Sequence, residues 1–281
     1  MGEFLNAVHA YAFMRYALAA GLLASVACGV VGSYVVTRRI TYVAGGIAHC
    51  VLGGMGAAQY LKVVHGVAFL TPLMGAVTAA LLAAGIIGWV SIRAKQREDT
   101  VIGAVWAIGM AVGIVFLTRT PGYKEDLMSY LFGNILMVSP TDLKLIAALD
   151  VFVILVVAFR YNQLLAVCFD EEFARLRGVS VQFHYLLLFF LIALAVVLLV
   201  SVVGIVMVIA LLTLPAAVAG HFAKTLWQMM VLASVLCALF TTGGLALSYA
   251  PDLPAGATII LVAGTVYLTV AAGKACLARR R

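Results

Sequence analysis

Charged residues cut this chain into long apolar stretches. Runs with few or no charges cover 11–36, 42–61, 67–92, 101–118, 143–159, 226–247 and 256–272, and a run of 46 residues, 178–223, has no acid, lysine or arginine at all. A helix crosses the hydrocarbon core of a bilayer in about 20 residues, so each shorter run predicts one transmembrane helix. As a single helix the 46-residue run would be roughly 70 Å long, about twice a bilayer core, so it predicts two helices with a turn near 201–204. The pattern therefore predicts nine spans in one transmembrane domain covering 1–281.

Composition agrees with this reading. Of the 281 residues, 65% are hydrophobic and only 10% are charged, and mean hydropathy is +1.15. A soluble domain carries about 25% charged residues, so the fold class expected is an all-α integral membrane protein. The net charge of +7 could point to nucleic acid, but the basic residues fall in short clusters between apolar runs, as in loops facing an anionic leaflet. Nucleic acid is therefore not an expected partner. The five cysteines are scattered singly, with no C-x-x-C and no disulfide framework.

Nine spans place the termini on opposite sides. With the N-terminus outside and the C-terminus cytoplasmic, thirteen of the 18 lysines and arginines, including Arg38, Arg39, Arg93, Lys95, Arg97, Arg160 and Lys224, lie inside. The positive-inside rule selects that orientation.

Two extramembrane segments stand out. In the cytoplasmic segment 169–178, Asp170 is a good N-cap, Glu171 and Glu172 suit the positive end of a helix, Arg175 and Arg177 suit the negative end, and Gly178 is a stop. Phe169, Phe173 and Leu176 form an apolar stripe on a helix too short to have its own core, which lies on the membrane or docks in a partner's groove. On the outside, 121–140 is too apolar for a solvated loop and too short to span, as a half-inserted or interfacial helix would be.

The second span carries candidate chemistry. Residues 44–58 read Ala-Gly-Gly-Ile-Ala-His-Cys-Val-Leu-Gly-Gly-Met-Gly-Ala-Ala. Gly45, Gly46, Gly53, Gly54 and Gly56 would let neighbouring backbones approach closely. His49, a titratable group inside a membrane helix, marks a pathway or a packed polar contact. Cys50 and Met55 could be soft ligands but are expected to pack. His65 is placed in an outer turn, and His9, His184 and His221 read as solvated or capping residues near helix ends. Pro215 would kink the seventh span. No G-x-x-x-x-G-K-[ST] motif is present, so any ATP-driven step needs another chain.

Five motifs in order along nearly the whole chain carry a resemblance: Gly45 through Gly54, Asp126 through Leu136, Phe169 through Gly178, Gly204 through Ala217, and Ser248 through Ala257. The chain resembles the membrane permease subunit of bacterial ABC importers for zinc, manganese or iron. The resemblance implies a homodimeric, multi-pass permease of the bacterial inner membrane and a pair of cytoplasmic P-loop ATPase subunits that hold the ATP. It also implies an extracytoplasmic metal-binding protein, and a transport subunit rather than an enzyme, with no covalently bound cofactor and a divalent metal as cargo. It makes the helix at about 170–177 a coupling helix, with Phe169, Asp170, Glu171, Phe173, Leu176, Arg177 and Gly178 at the ATPase. Related readings are a permease for chelated iron or a vitamin, and a proton-coupled secondary metal transporter; the capped helix argues against the latter, which has no ATPase to engage.

The chain departs from the family in the second span. Gly45 stands where members commonly have an acid one turn before the histidine, Ala48 where a serine is usual, and Gly53 where a proline is common. One neutral imidazole can bind zinc or manganese but cannot balance a dication in low dielectric. Asp150, well inside the fifth span, lies ten residues before Arg160, as His49 lies ten after Arg39. Both would sit roughly 15 Å from the inner surface, so Asp150 is the candidate for the missing carboxylate, directly or through water.

Overall fold

A computed structural model describes residues 2–93, 98–121, 133 and 135–278. The helices are α1 (Gly2–Ala10), α2 (Ala12–Thr37), α3 (Thr41–Val64), α4 (Pro72–Arg93), α5 (Glu98–Arg119), α6 (Pro140–Phe169), α7 (Glu171–Leu176), α8 (Val181–Val203), α9 (Ile205–Gly220), α10 (Leu226–Tyr249) and α11 (Ala255–Ala278), with a 3₁₀ turn at Ile135–Met137. No strand occurs among the described residues. Helices of this kind satisfy every backbone donor internally, which a bilayer demands.

Six helices among the described residues, α2, α4, α5, α8, α10 and α11, are long and apolar enough to cross a membrane on composition alone, and α9 is a shorter apolar helix. The pattern of burial suits a lipid solvent. Large apolar side chains such as Leu82, Trp89, Ile108, Leu239 and Leu261 face outward, while alanines at 17, 20, 24 and 27 of α2 are fully enclosed. Lipid is as apolar as leucine, so helices associate through small residues rather than by hiding large ones.

The chain divides into two compact units. In the first (1–39, 131–155 and 202–281), α2 packs on α9 and α10, and α11 packs on both of those. The small face of α2 makes this possible. A Cβ on Gly29 would overlap Ser234 of α10, one on Gly32 would overlap the Leu212 carbonyl of α9, and one on Gly21 would lie 3.3 Å from Thr241 Cβ. Pro215 lies inside α9 and lacks the N–H that would bond the carbonyl one turn back. That carbonyl, Leu211 O, instead faces the Cys237 thiol of α10 at 3.9 Å.

In the second unit (40–130 and 156–201), α3 packs on α4 and α5. The α8 side chains Leu186 and Phe189 cover Gly88 of α4, where a Cβ would lie 2.6 Å from Leu186 Cδ2.

Several expectations are corrected. The helix expected to end at residue 159 continues as α6 to Phe169, so Arg160 is a helical residue rather than the start of a loop. His184 is not solvated: it is 5% exposed, with Nδ1 2.8 Å from Ser180 O. The break in the long apolar run, by contrast, falls within the expected turn, at Gly204, with φ 81 between α8 and α9, where a residue with a Cβ is disfavoured. Of the outer segment 121–140, residues 122–132 and 134 lie outside the described residues.

Candidate functional site

The histidine helix α3 meets α5 along a seam whose rungs advance together on both helices. A Cβ on Gly46 would lie 2.9 Å from Ile102 Cγ2; one on Gly53, 2.6 Å from Gly109 O; one on Gly56, 2.8 Å from Gly113 O. These contacts are to backbone at two rungs, so only glycine fits there. Between the first two, at the rung shared by residues 49 and 106, the seam holds two rings instead of two small residues.

His49 stacks on Trp106 with ring centroids 4.3 Å apart and planes within 10°. The Trp106 indole is itself held, its Nε1–H donating to Met110 Sδ at 3.1 Å. One residue on, the Cys50 thiol donates to Val105 O at 3.4 Å, which ties α3 to α5 beside the stack. His49 is 9% exposed, and its Nδ1 is buried with no hydrogen-bond partner. A neutral imidazole presents one lone pair, in the plane of the ring, to a borderline metal. Here that plane is set by the indole beneath it.

Trp106 was not singled out from the sequence. Its signal is the spacing Trp106-x-x-Gly109-x-x-x-Gly113, which places the indole on the same helix face as the two glycines.

Asp150 belongs to the first unit and His49 to the second. Asp150 is 5% exposed and lies beside Ala27 of α2, yet neither carboxyl oxygen reaches hydrogen-bond geometry. A buried carboxyl without partners is costly. Among the described residues no group of three or more His, Cys, Asp or Glu side chains is placed to hold a metal. Gly45 is buried in α3 and contributes no side chain to that face.

A groove of about 710 Å³ opens among α3, α4 and α5, lined by Gly53, Gly54, Ala79, Leu82 and Ile108, with Cys50, Thr78 and Thr100 among its few polar side chains. It offers a cation no charged ligand. The other candidate histidines stand apart: His65 caps the end of α3 with its ring edge-on to Tyr60, and His221 caps α9, its carbonyl accepting from Lys274 Nζ.

On α7, the Asp170 carboxylate accepts from the Phe173 N–H at 2.9 Å, and Gly178 ends the turn at φ 75. Ala174 is the anchor, fully buried against Val167 and Val181. With one alanine inward, the larger residues are left out: Phe169, Phe173 and Leu176 are all exposed, Leu176 by 89%. Arg177 lies over the Phe173 ring at 5.1 Å. The outcome is a short capped helix whose outer surface is apolar, with acids at its start and arginines at its end.

The family model of the ABC 3 transport family matches residues 10–274. An uncharacterized membrane protein of Synechocystis sp. is 46% identical over 92% of this chain and 89% of its own length. The manganese transport system membrane protein MntC of Halalkalibacterium halodurans is 34% identical over 94% of this chain and 88% of its own. Among solved structures, PsaBC from Streptococcus pneumoniae in complex with Fab superposes with a TM-score of 0.83 at 30% identity, covering 96% of this chain and 94% of that one. The chain belongs to the ABC 3 transport family, as a multi-pass permease subunit of the bacterial inner membrane rather than an enzyme, the ATPase being a separate subunit.

Proposed function

We propose that this permease is the membrane subunit of an ATP-driven importer for a divalent transition metal, manganese foremost. One observation carries the reading to a metal: a buried, ring-stacked histidine with an unpartnered nitrogen in the middle of a helix whose only charge is Lys62 in its last turn. A membrane imidazole with no structural hydrogen bond is accounted for by a transient ligand. The name of the Halalkalibacterium relative, a manganese transport protein, supports manganese over zinc or iron.

In this reading nine spans run with the N-terminus outside, and two copies of the permease pair as a homodimer. An extracytoplasmic metal-binding protein delivers the ion. The cytoplasmic P-loop ATPase dimer grips α7 through Phe169, Phe173 and Leu176, with Asp170 and Gly178 fixing the helix ends and Glu171 and Arg177 at its rim. ATP-driven closure of the ATPase then moves α7, and alternating access carries the metal past His49. Asp150 is a second candidate ligand, supported by its burial without a hydrogen-bond partner. Pro215 gives α9 a point at which it can bend.

The cargo is tested by manganese uptake into proteoliposomes holding permease and ATPase, with zinc and iron as competitors. Saturable manganese uptake is expected, and uptake confined to a chelated metal would overturn the assignment. Coupling is tested by Leu176→Asp, which places a charge on the most exposed apolar position of α7. It is expected to abolish co-purification of the ATPase while leaving the permease folded, because Leu176 touches solvent rather than core. An undiminished complex would remove α7 as the docking element.

A further inference from the structure

We propose that Trp106 is a positioning residue for the transported metal, its indole fixing the direction in which the His49 nitrogen meets the ion. The proposal rests on the reading of His49 as a pathway ligand. Metal-binding histidines are ordinarily oriented by a hydrogen bond from the ring nitrogen that does not bind the metal. With Nε2 toward the metal, that bond would fall to Nδ1, which is buried without a partner. The χ2 torsion of histidine is broad, so an imidazole without that bond could swing its lone pair off target. The near-parallel stack on Trp106, 4.3 Å between centroids and 10° between planes, removes that freedom.

The indole can do this because it is fixed in turn. Its N–H is held by Met110 Sδ one turn along α5. The close rungs on either side set the separation of the two helices, and so the stacking distance: Gly53 meets the Gly109 backbone, and Gly46 meets the Ile102 side chain. The stack also has an electrostatic consequence. An imidazole that has bound a dication carries positive charge, and an indole face is the strongest side-chain partner for a cation. One turn before His49 the helix has only Gly45, so no side chain there can supply compensating charge.

The test uses the complete complex of permease and ATPase in lipid. Trp89 and Trp227 are exposed, and replacing both by phenylalanine leaves Trp106 as the sole tryptophan of the permease, its signal being read against the same complex carrying Trp106→Phe as well. Added Co²⁺ is expected to quench its emission saturably, and His49→Ala is expected to abolish that quenching; saturable quenching that survives His49→Ala would overturn the proposal. In manganese uptake, Trp106→Phe retains a stacking ring and is expected to keep the wild-type KM. Trp106→Leu retains bulk but not the ring and is expected to raise KM roughly tenfold, the scale of losing an orienting partner, with kcat changed far less. A merely structural role would lower the amount of active complex and kcat and leave KM in place, which would also overturn the proposal. Should Trp106→Leu fail to assemble, Met110→Leu frees the indole N–H while keeping the fold and is expected to move KM in the same direction; an unchanged KM there overturns the proposal. If His49→Ala itself transports normally, the pathway reading falls. If only His49→Ala is defective, the positioning role alone falls.

Discussion

Replacing His49 by alanine is expected to lower ATP-dependent metal uptake by at least roughly tenfold, since loss of a mere orienting partner at a metal site already costs that much. Alanine also leaves a hole beside Trp106, so the informative companion is His49→Phe. Phenylalanine preserves the stack that His49 makes at 4.3 Å and removes only the ring nitrogens. If His49 acts as a ligand, both variants lose uptake, and the phenylalanine variant keeps its thermal stability. If His49 only packs, the phenylalanine variant transports as well as the wild type. Asp150→Asn belongs in the same series. It keeps the shape of a side chain that is 5% exposed and removes the charge, and unchanged transport would exclude the carboxylate as a required ligand.

Gly53→Ala is expected to destabilise the second unit although it adds one methyl group. The new Cβ would lie 2.6 Å from the Gly109 carbonyl oxygen, an atom of the α5 backbone that cannot rotate away. Overpacking of this kind typically costs about 1–3 kcal/mol, enough to lower a melting midpoint in detergent by roughly 5 °C. Gly103 is the control. It lies on the same helix as Gly109, but a Cβ there meets nothing within 4 Å. Gly103→Ala should therefore melt at or slightly above the wild-type temperature, because alanine is the better helix former by about 1 kcal/mol. Equal destabilisation by both variants would mean that the seam between α3 and α5 does not depend on close approach.

Part of this architecture is legible in the amino-acid pattern. The capped helix at 170–177 was legible because Asp170 and Gly178 act within a few residues of themselves, and both contacts depend on local backbone geometry alone. The break at Gly204 was legible for a similar reason, since a run of that length exceeds the bilayer. Glycines around His49 announced a tightly packed helix, but not which helix would meet each one.

Two of the differences are local and one is tertiary. The charge of Arg160 suggests a helix end, yet a long flexible stem lets that charge reach water from a helix that continues, and α6 runs on to Phe169. His184 reads as a polar residue near a helix end, but Ser180 O offers a partner one turn back, which makes burial tolerable. Trp106 sits more than fifty residues from His49. A tryptophan in an apolar run carries no mark of the face it presents, and only the register of the glycine seam places it against the imidazole.

This permease is expected to move a divalent metal only when an ATPase grips its cytoplasmic helix. The most direct measurement is manganese uptake into proteoliposomes, made with and without the ATPase subunit and with and without ATP inside the same preparation. Uptake that requires both the ATPase and ATP, and that is insensitive to an uncoupler, is the predicted result. Uptake that persists without the ATPase and collapses on adding the uncoupler would contradict it.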